Sequence, residues 1–291
     1  MDNVLGALFQ DIADAIRLKT GGTDTMKPAE FPTQIAAIPT GGNDANAEKY
    51  FEGGYAEVSL PNITKLKPYA FYQDTTLVDM SMPKVESVGN YAFYRCSNLS
   101  SIVWSIRLKD VGMYAFNYCS KLVITSLPET LISIGACAFE GCKGLDVTSL
   151  PEGLTSISRS AFRQCTALTI TSLPNGVTSI GEAAFQGCDN LALTSLPSGL
   201  TSLEANVFSG CSKLAITSIP SGITSIATKA FLQCYGITTI TFEGTPTSIA
   251  SDAFSNNNYL KTINVPWAEG AVANSPWGAT RATINYNYAG E

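Results

Sequence analysis

The chain has 291 residues, a net charge of −6 and only 14% charged residues, and no Lys/Arg cluster stands ready for nucleic acid or an anionic membrane surface. It contains no histidine, which removes Ser-His-Asp and Cys-His nucleophiles, His-bearing metal sites and the commonest general base. Hydrophobic residues make up 45%, enough for a sizeable core, yet no run of about 18 apolar residues is present to cross a bilayer.

In chain order, Met1 to Phe9 carries no basic residue, and its apolar stretch from Val4 to Phe9 is too short for a signal peptide. Leu5, Leu8, Ile12 and Ile16 fall at three- and four-residue spacing, which predicts an amphipathic helix over residues 3–19, stopped by Gly21 and Gly22. A short apolar segment follows from Phe31 to Ile38, and Thr40 to Asp44 reads as a linker. Residues 1–42 thus form a small helical element. It either anchors the chain to a particle or joins copies of itself, or it caps the first repeat. The stretch Ile12 to Ile38, I-A-D-A-I-R-x-K-T-G-x-T-D-x-M-K-P-A-E-F-P-x-x-I-x-x-I, resembles N-terminal segments of tail-associated proteins in phages and prophages of Gram-positive gut bacteria. That resemblance implies a virion protein.

The dominant signal comes next. A phenylalanine recurs at Phe71, Phe93, Phe116, Phe139, Phe162, Phe185, Phe208, Phe231 and Phe254, first after 22 residues and then every 23. Cys96, Cys119, Cys142, Cys165, Cys188, Cys211 and Cys234 follow three residues after their phenylalanines, with Asp74 and Asn257 in the outer copies. An aliphatic residue comes three positions later, and Pro128, Pro151, Pro174, Pro197 and Pro220 mark five central copies. A unit of this length cannot bury its own apolar face, so copies must stack into columns of like residues. At the spacing of β-strands, nine copies extend about 40 Å. The Ala-Phe segment is expected to be a short helical or 3₁₀ turn. The seven column thiols point the same way and do not converge as a disulfide requires, so they read as reduced, buried small hydrophobes. Cys137 lies off that column at a variable position and reads as a surface thiol.

The unit L-x-x-I-x-[IVL]-P-x-x-[LV]-x-x-I-x-x-x-A-F-x-x-C is similar to the leucine-rich repeat of BspA-type bacterial surface proteins, over roughly residues 55–266. The resemblance implies a right-handed solenoid without enzymatic activity, used for adhesion or ligand binding, in a family that includes adhesins for host matrix proteins. The expected fold class is therefore an α/β repeat solenoid: residues 1–42 the helical element and linker, 43–266 the solenoid, and 267–291 a C-terminal cap plugged by Trp267 and Trp277.

Candidate ligand-binding residues fall in two groups. In the outer copies the strand reads as in Leu77-x-x-Met80-x-Met82, but in five central copies the apolar residue moves one position closer, to Ile124, Val147, Ile170, Leu193 and Ile216. Either a bulge keeps these five in the core, or they form an exposed apolar ladder that marks a binding face. The second group is aromatic: Tyr69, Tyr91 and Tyr114 fill one column, and Tyr72 and Tyr94 fill the column three residues on. Tyrosine is enriched at interfaces, and a stacked row suits a sugar chain or a protein. Rows of hydroxyls such as Thr155-Ser156 and Thr178-Ser179 read as ordinary polar β-surface. The acidic residues are scattered, so no catalytic pair is expected, and no cofactor or metal. The chain reads as a binding protein for a bacterial surface glycan or protein, on a phage tail or, alternatively, as a cell-surface adhesin. Partners in nucleic acid and insertion into membranes are not expected.

Overall fold

The structure is a computed structural model and describes residues 57–290. The predicted helix over residues 3–19, the segment 31–38 and the linker lie outside the described residues.

The described chain winds into stacked coils, one per repeat, joined by two rows of parallel strands. The first row begins with Glu57–Ser59, Asp79–Ser81 and Ser101–Val103 and ends with Ser218–Ile219, Thr239–Phe242, Thr262–Asn264 and Thr283–Asn285. The second row is made of two-residue strands, from Lys65–Leu66 and Ser87–Val88 to Ser225–Ile226 and Ser248–Ile249. In each of these a polar residue faces out and an aliphatic one faces in, as Ser179 and Ile180 do. The two-residue alternation of a strand is all that is needed to sort them. All pairings are parallel, because each coil returns to its starting point before the next begins.

Every column phenylalanine is in the core, 0–2% exposed, and each lies nearly parallel to the next, with centroids 4.9–5.9 Å apart. The turn that carries it is not a helix, and no helix occurs among the described residues, so the α/β label does not describe them. The reason lies in the backbone. In eight of the nine copies the residue two before the phenylalanine, as Tyr69, Tyr91, Tyr114 and Lys229, has φ between 51° and 62°. In all nine the residue two after it, as Gln73, Arg95 and Gly141, also has positive φ. A left-handed residue every four positions forbids a right-handed helix. What the chain gains instead is a ladder between coils: Tyr69, Phe71 and Gln73 donate their N–H groups to the carbonyls of Asn90, Ala92 and Tyr94 at 2.9, 2.7 and 2.7 Å.

The thiols do more than fill space. Each column cysteine donates its S–H to the carbonyl of the preceding coil's phenylalanine, from Cys96 to Phe71 at 2.8 Å through Cys234 to Phe208 at 3.1 Å. All eight cysteines are unpaired in disulfide terms, and burial pushes the column thiols up, Cys142 to about 12. Asn257 stands in the same column and donates its Nδ2 to Phe231 O at 2.7 Å, so it replaces the thiol as a donor. Asp74, in the first described coil, instead accepts from Thr76 N–H and Leu77 N–H of its own turn. Asn257 Oδ1, however, is buried without a partner. Asn257→Ala therefore costs about 1–3 kcal/mol by stranding the Phe231 carbonyl, whereas Asn257→Cys restores a donor, removes the orphan oxygen and leaves the melting temperature equal or higher. Thermal unfolding of the two variants separates them.

The five central residues are in the core: Ile124 is 3% exposed, Val147, Ile170 and Leu193 are 0%, and Ile216 is 1%. The exposed apolar ladder is thereby excluded, and the five side chains stay in the core. The first strand row lapses across the central coils. Between Gly144–Leu145 and Ser218–Ile219 it holds no strand, and neighbouring coils keep isolated bonds such as Ala192 N–H to Ile170 O at 3.2 Å. From Val147 to Ile216 giving up regular pleat lets the displaced side chain turn inward, whereas Ile124 faces the core from the paired strand Val123–Ile124. After the last full repeat, Trp277 is fully buried and Trp267 nearly so, the latter edge-on to Phe242 at 5.2 Å.

Candidate recognition site

The left-handed turns set the tyrosines on one face of the first three coils. Tyr69 stacks on Tyr91 at 5.1 Å and 2°, and Tyr91 on Tyr114 at 4.9 Å and 11°. Tyr72 stacks on Tyr94 at 5.1 Å and 8°. The two columns meet at steep angles, as Tyr91 and Tyr94 do at 5.6 Å and 60°. All five predicted tyrosines are thus brought together, and all are half-buried. Stacking uses up the ring faces inside each column. The surface therefore presents ring edges and hydroxyls in rows, about one coil apart, rather than open aromatic platforms. The edge of an aromatic ring carries partial positive charge, so these rows favour acceptor groups.

Three residues that the sequence reading passed over extend this face. The Arg95 guanidinium sits over the Tyr94 ring, 5.4 Å from its centroid. Tyr118 and Met113 are exposed. Tyr118 occupies a left-handed position, and its ring lies where a side chain on Gly141 would be: a Cβ there would come within 2.7 Å of the ring. The Tyr118 hydroxyl reaches two coils onward to Gln164 Oε1 at 3.4 Å. The signal that could have found Arg95 and Tyr118 is departure from their column, where the later copies carry glycine, glutamine or asparagine, and Met113 is the one large apolar residue in its own column.

The tyrosine columns end against a buried polar chain. Asn117 Nδ2 donates to Glu140 Oε2 at 3.2 Å, and Arg163 Nη1 to Glu140 Oε1 at 3.1 Å. Cys137, expected at the surface, is only 7% exposed. A small side chain at this turn position stays under its neighbours, whereas a tyrosine at the same position must extend along the surface. Burial raises the Cys137 thiol, and the Tyr114 hydroxyl rises to about 12, first through its hydrogen bond with Cys137. Burial also raises the Tyr72 and Tyr91 hydroxyls, so these groups stay protonated donors at neutral pH. The threonine row is structural: Thr224 Oγ1 donates to Thr201 O at 3.0 Å and Thr247 Oγ1 to Thr224 O at 2.8 Å. Among the described residues no group of three or more His, Cys, Asp or Glu could hold a metal ion, and no helix is long and apolar enough to cross a membrane.

The family model for the BspA type leucine-rich repeat region matches residues 52–169 and 155–270. The chain belongs to this family. As a BspA-type repeat protein it is similar in fold to a leucine-rich repeat protein from Bacteroides ovatus, at 20% identity and a TM-score of 0.48, over 78% of this chain and 68% of that one. It is also similar to the leucine-rich repeat protein of T. pallidum, at 26% identity and a TM-score of 0.41, over 64% and 80% of the two chains. The pneumococcal vaccine antigen PcpA gives 17% identity and a TM-score of 0.40, over 79% of each chain. No curated protein matches the sequence significantly.

Proposed function

We propose that this BspA-type repeat chain is a non-enzymatic recognition protein that holds a bacterial surface glycan or protein against the tyrosine-bearing turns of its first three coils. The observation that carries this reading is the pair of stacked columns formed by Tyr69, Tyr91 and Tyr114 and by Tyr72 and Tyr94. Contact is made at several equivalent points at once, each a hydroxyl or a ring edge held in place by its neighbours, which keeps the entropic cost of binding low. Residues 1–42 attach the chain to a phage or prophage tail or join copies of it, and residues 267–291 close the last coil. The resemblance of Ile12–Ile38 to tail-associated segments supports the particle reading. The family match supports a second one, an adhesin at a bacterial cell surface.

Tyr91 is the centre of the face, in contact with rings on both columns. Tyr91→Ala weakens binding about 30-fold, the loss of a hot spot of about 2 kcal/mol. Tyr91→Phe keeps the stack and removes only the hydroxyl, so it separates hydrogen bonding from packing. Glycan arrays and whole-cell binding with both variants, beside thermal unfolding, are the test. Unchanged binding by Tyr91→Ala on every surface the parent binds discards the site.

A further inference from the structure

A second feature stands at another point of the coils and does not rest on the tyrosine face. In five successive copies the residues at and just after the first strand row's position read Ser, Leu or Ile, Pro and then Glu, Asn or Ser, as in Ser126-Leu127-Pro128-Glu129. The third coil carries Val103-Trp104-Ser105-Ile106 at those positions. A repeat's solvent-facing positions have no structural need for bulk, yet Val103 is 59% exposed and Ile106 83%. Trp104 is half-buried, its edge on Phe116 at 5.3 Å. Two of these departures border a cavity of about 320 Å³, lined by Trp104 and Ile106 on one side and by Leu127, Pro128 and Glu129 of the next coil on the other. That volume is at the low end for a ligand pocket and admits one large side chain.

The polar groups of the lining decide the occupant. Ser105 Oγ already accepts from Arg107 N–H at 3.0 Å, and Thr130 Oγ1 donates to the carbonyls of Ile106 and Leu108 at 3.0 and 2.7 Å. Of the three lining hydroxyls, Thr130 is committed to backbone and Ser105 is engaged as an acceptor, which leaves the exposed Ser126 as the one open hydroxyl, too few to read a sugar. Glu129 is exposed and is the one charged side chain in the lining. We infer that this pocket docks an extended segment of a partner protein that presents a large apolar side chain next to a Lys or Arg. The apolar side chain enters between Trp104 and Pro128 and covers Ile106, and the cation pairs with Glu129 at the rim.

The test pans a displayed library of random peptides against the full chain and titrates the enriched peptides by tryptophan fluorescence. Trp267 and Trp277 are 6% and 0% exposed, so Trp104 is the tryptophan that a ligand reaches. Enriched peptides are expected to share a Leu, Ile, Phe or Trp beside a Lys or Arg and to shift the emission saturably. Ile106→Glu restores the residue type of the next two coils, keeps the melting temperature and weakens binding at least tenfold. Glu129→Gln abolishes the preference for a basic neighbour, and Tyr91→Ala leaves peptide binding unchanged. No enrichment, enriched peptides without the pair, equal binding by Ile106→Glu, or an array glycan whose binding Ile106→Glu removes would each overturn the assignment.

Discussion

Replacing Phe162 by Ala lowers the unfolding free energy by about 3–5 kcal/mol, the range for a large buried aromatic whose cavity cannot collapse. Phe162 is fully buried between Phe139 at 5.9 Å and Phe185 at 5.6 Å, with near-parallel planes. The neighbouring rings cannot close the gap, because each is fixed by its own coil's hydrogen bonds to the next, as Phe162 N–H is to Ala184 O at 2.9 Å. In a linear array each coil is stabilised mainly by its two neighbours, so an interior hole weakens both contacts. Urea unfolding measures the effect. A change below about 0.5 kcal/mol would mean the rings do not stack in the core, since that is the scale of ordinary surface substitutions.

Ile170→Asp has a comparably large effect and is directed at the five displaced residues. Loss of the buried aliphatic side chain alone costs about 2–5 kcal/mol. A carboxyl in its place meets only apolar surroundings, so burial raises its folded-state pKa above the unfolded value of about 3.9. The folded state then binds more protons than the unfolded one, and the variant loses further stability as pH rises from about 4. Had Ile170 pointed to solvent, the substitution would change stability by no more than about 0.5 kcal/mol, with no such pH dependence. Urea titrations at pH 4 and pH 7 distinguish the two.

The repeat, its length and the inward column of phenylalanines were legible because identical residues at a fixed interval leave stacking as their common explanation. The turn conformation was not. Its left-handed positions are held by Tyr69, Gln73, Arg95 and Lys229 as well as by Gly141, Gly187 and Gly210, so the glycine pattern that marks such a turn was diluted. The donor role of the thiols was hidden for a similar reason. A buried cysteine reads as a small hydrophobe, and only its replacement by Asn257, with Asp74 in the opposite role, betrays the hydrogen bond. The tyrosine columns were readable as a cluster, but not that stacking would leave edges and hydroxyls outward, since that depends on ring planes. The variability around Cys137 suggested exposure, when it records a switch from long side chains lying along the surface to small ones tucked beneath it.

The direction of the bonds between coils has an electrical consequence. On the phenylalanine turns the N–H groups point toward the C-terminal end of the stack, as from Phe71 to Ala92. On the strand rows they run both ways, as a parallel ladder requires, with Leu60 donating to Ser81 and Ser100 to Val78, while the thiols point back, as from Cys96 to Phe71. An α-helix sums its peptide dipoles into charged ends. Here the strand rows largely cancel within themselves, whereas the phenylalanine turns align their N–H groups coil after coil, so that flank alone sums its dipoles along the stack. An anionic group is therefore better received at the C-terminal end of that flank, where the N–H groups point, than at the opposite end.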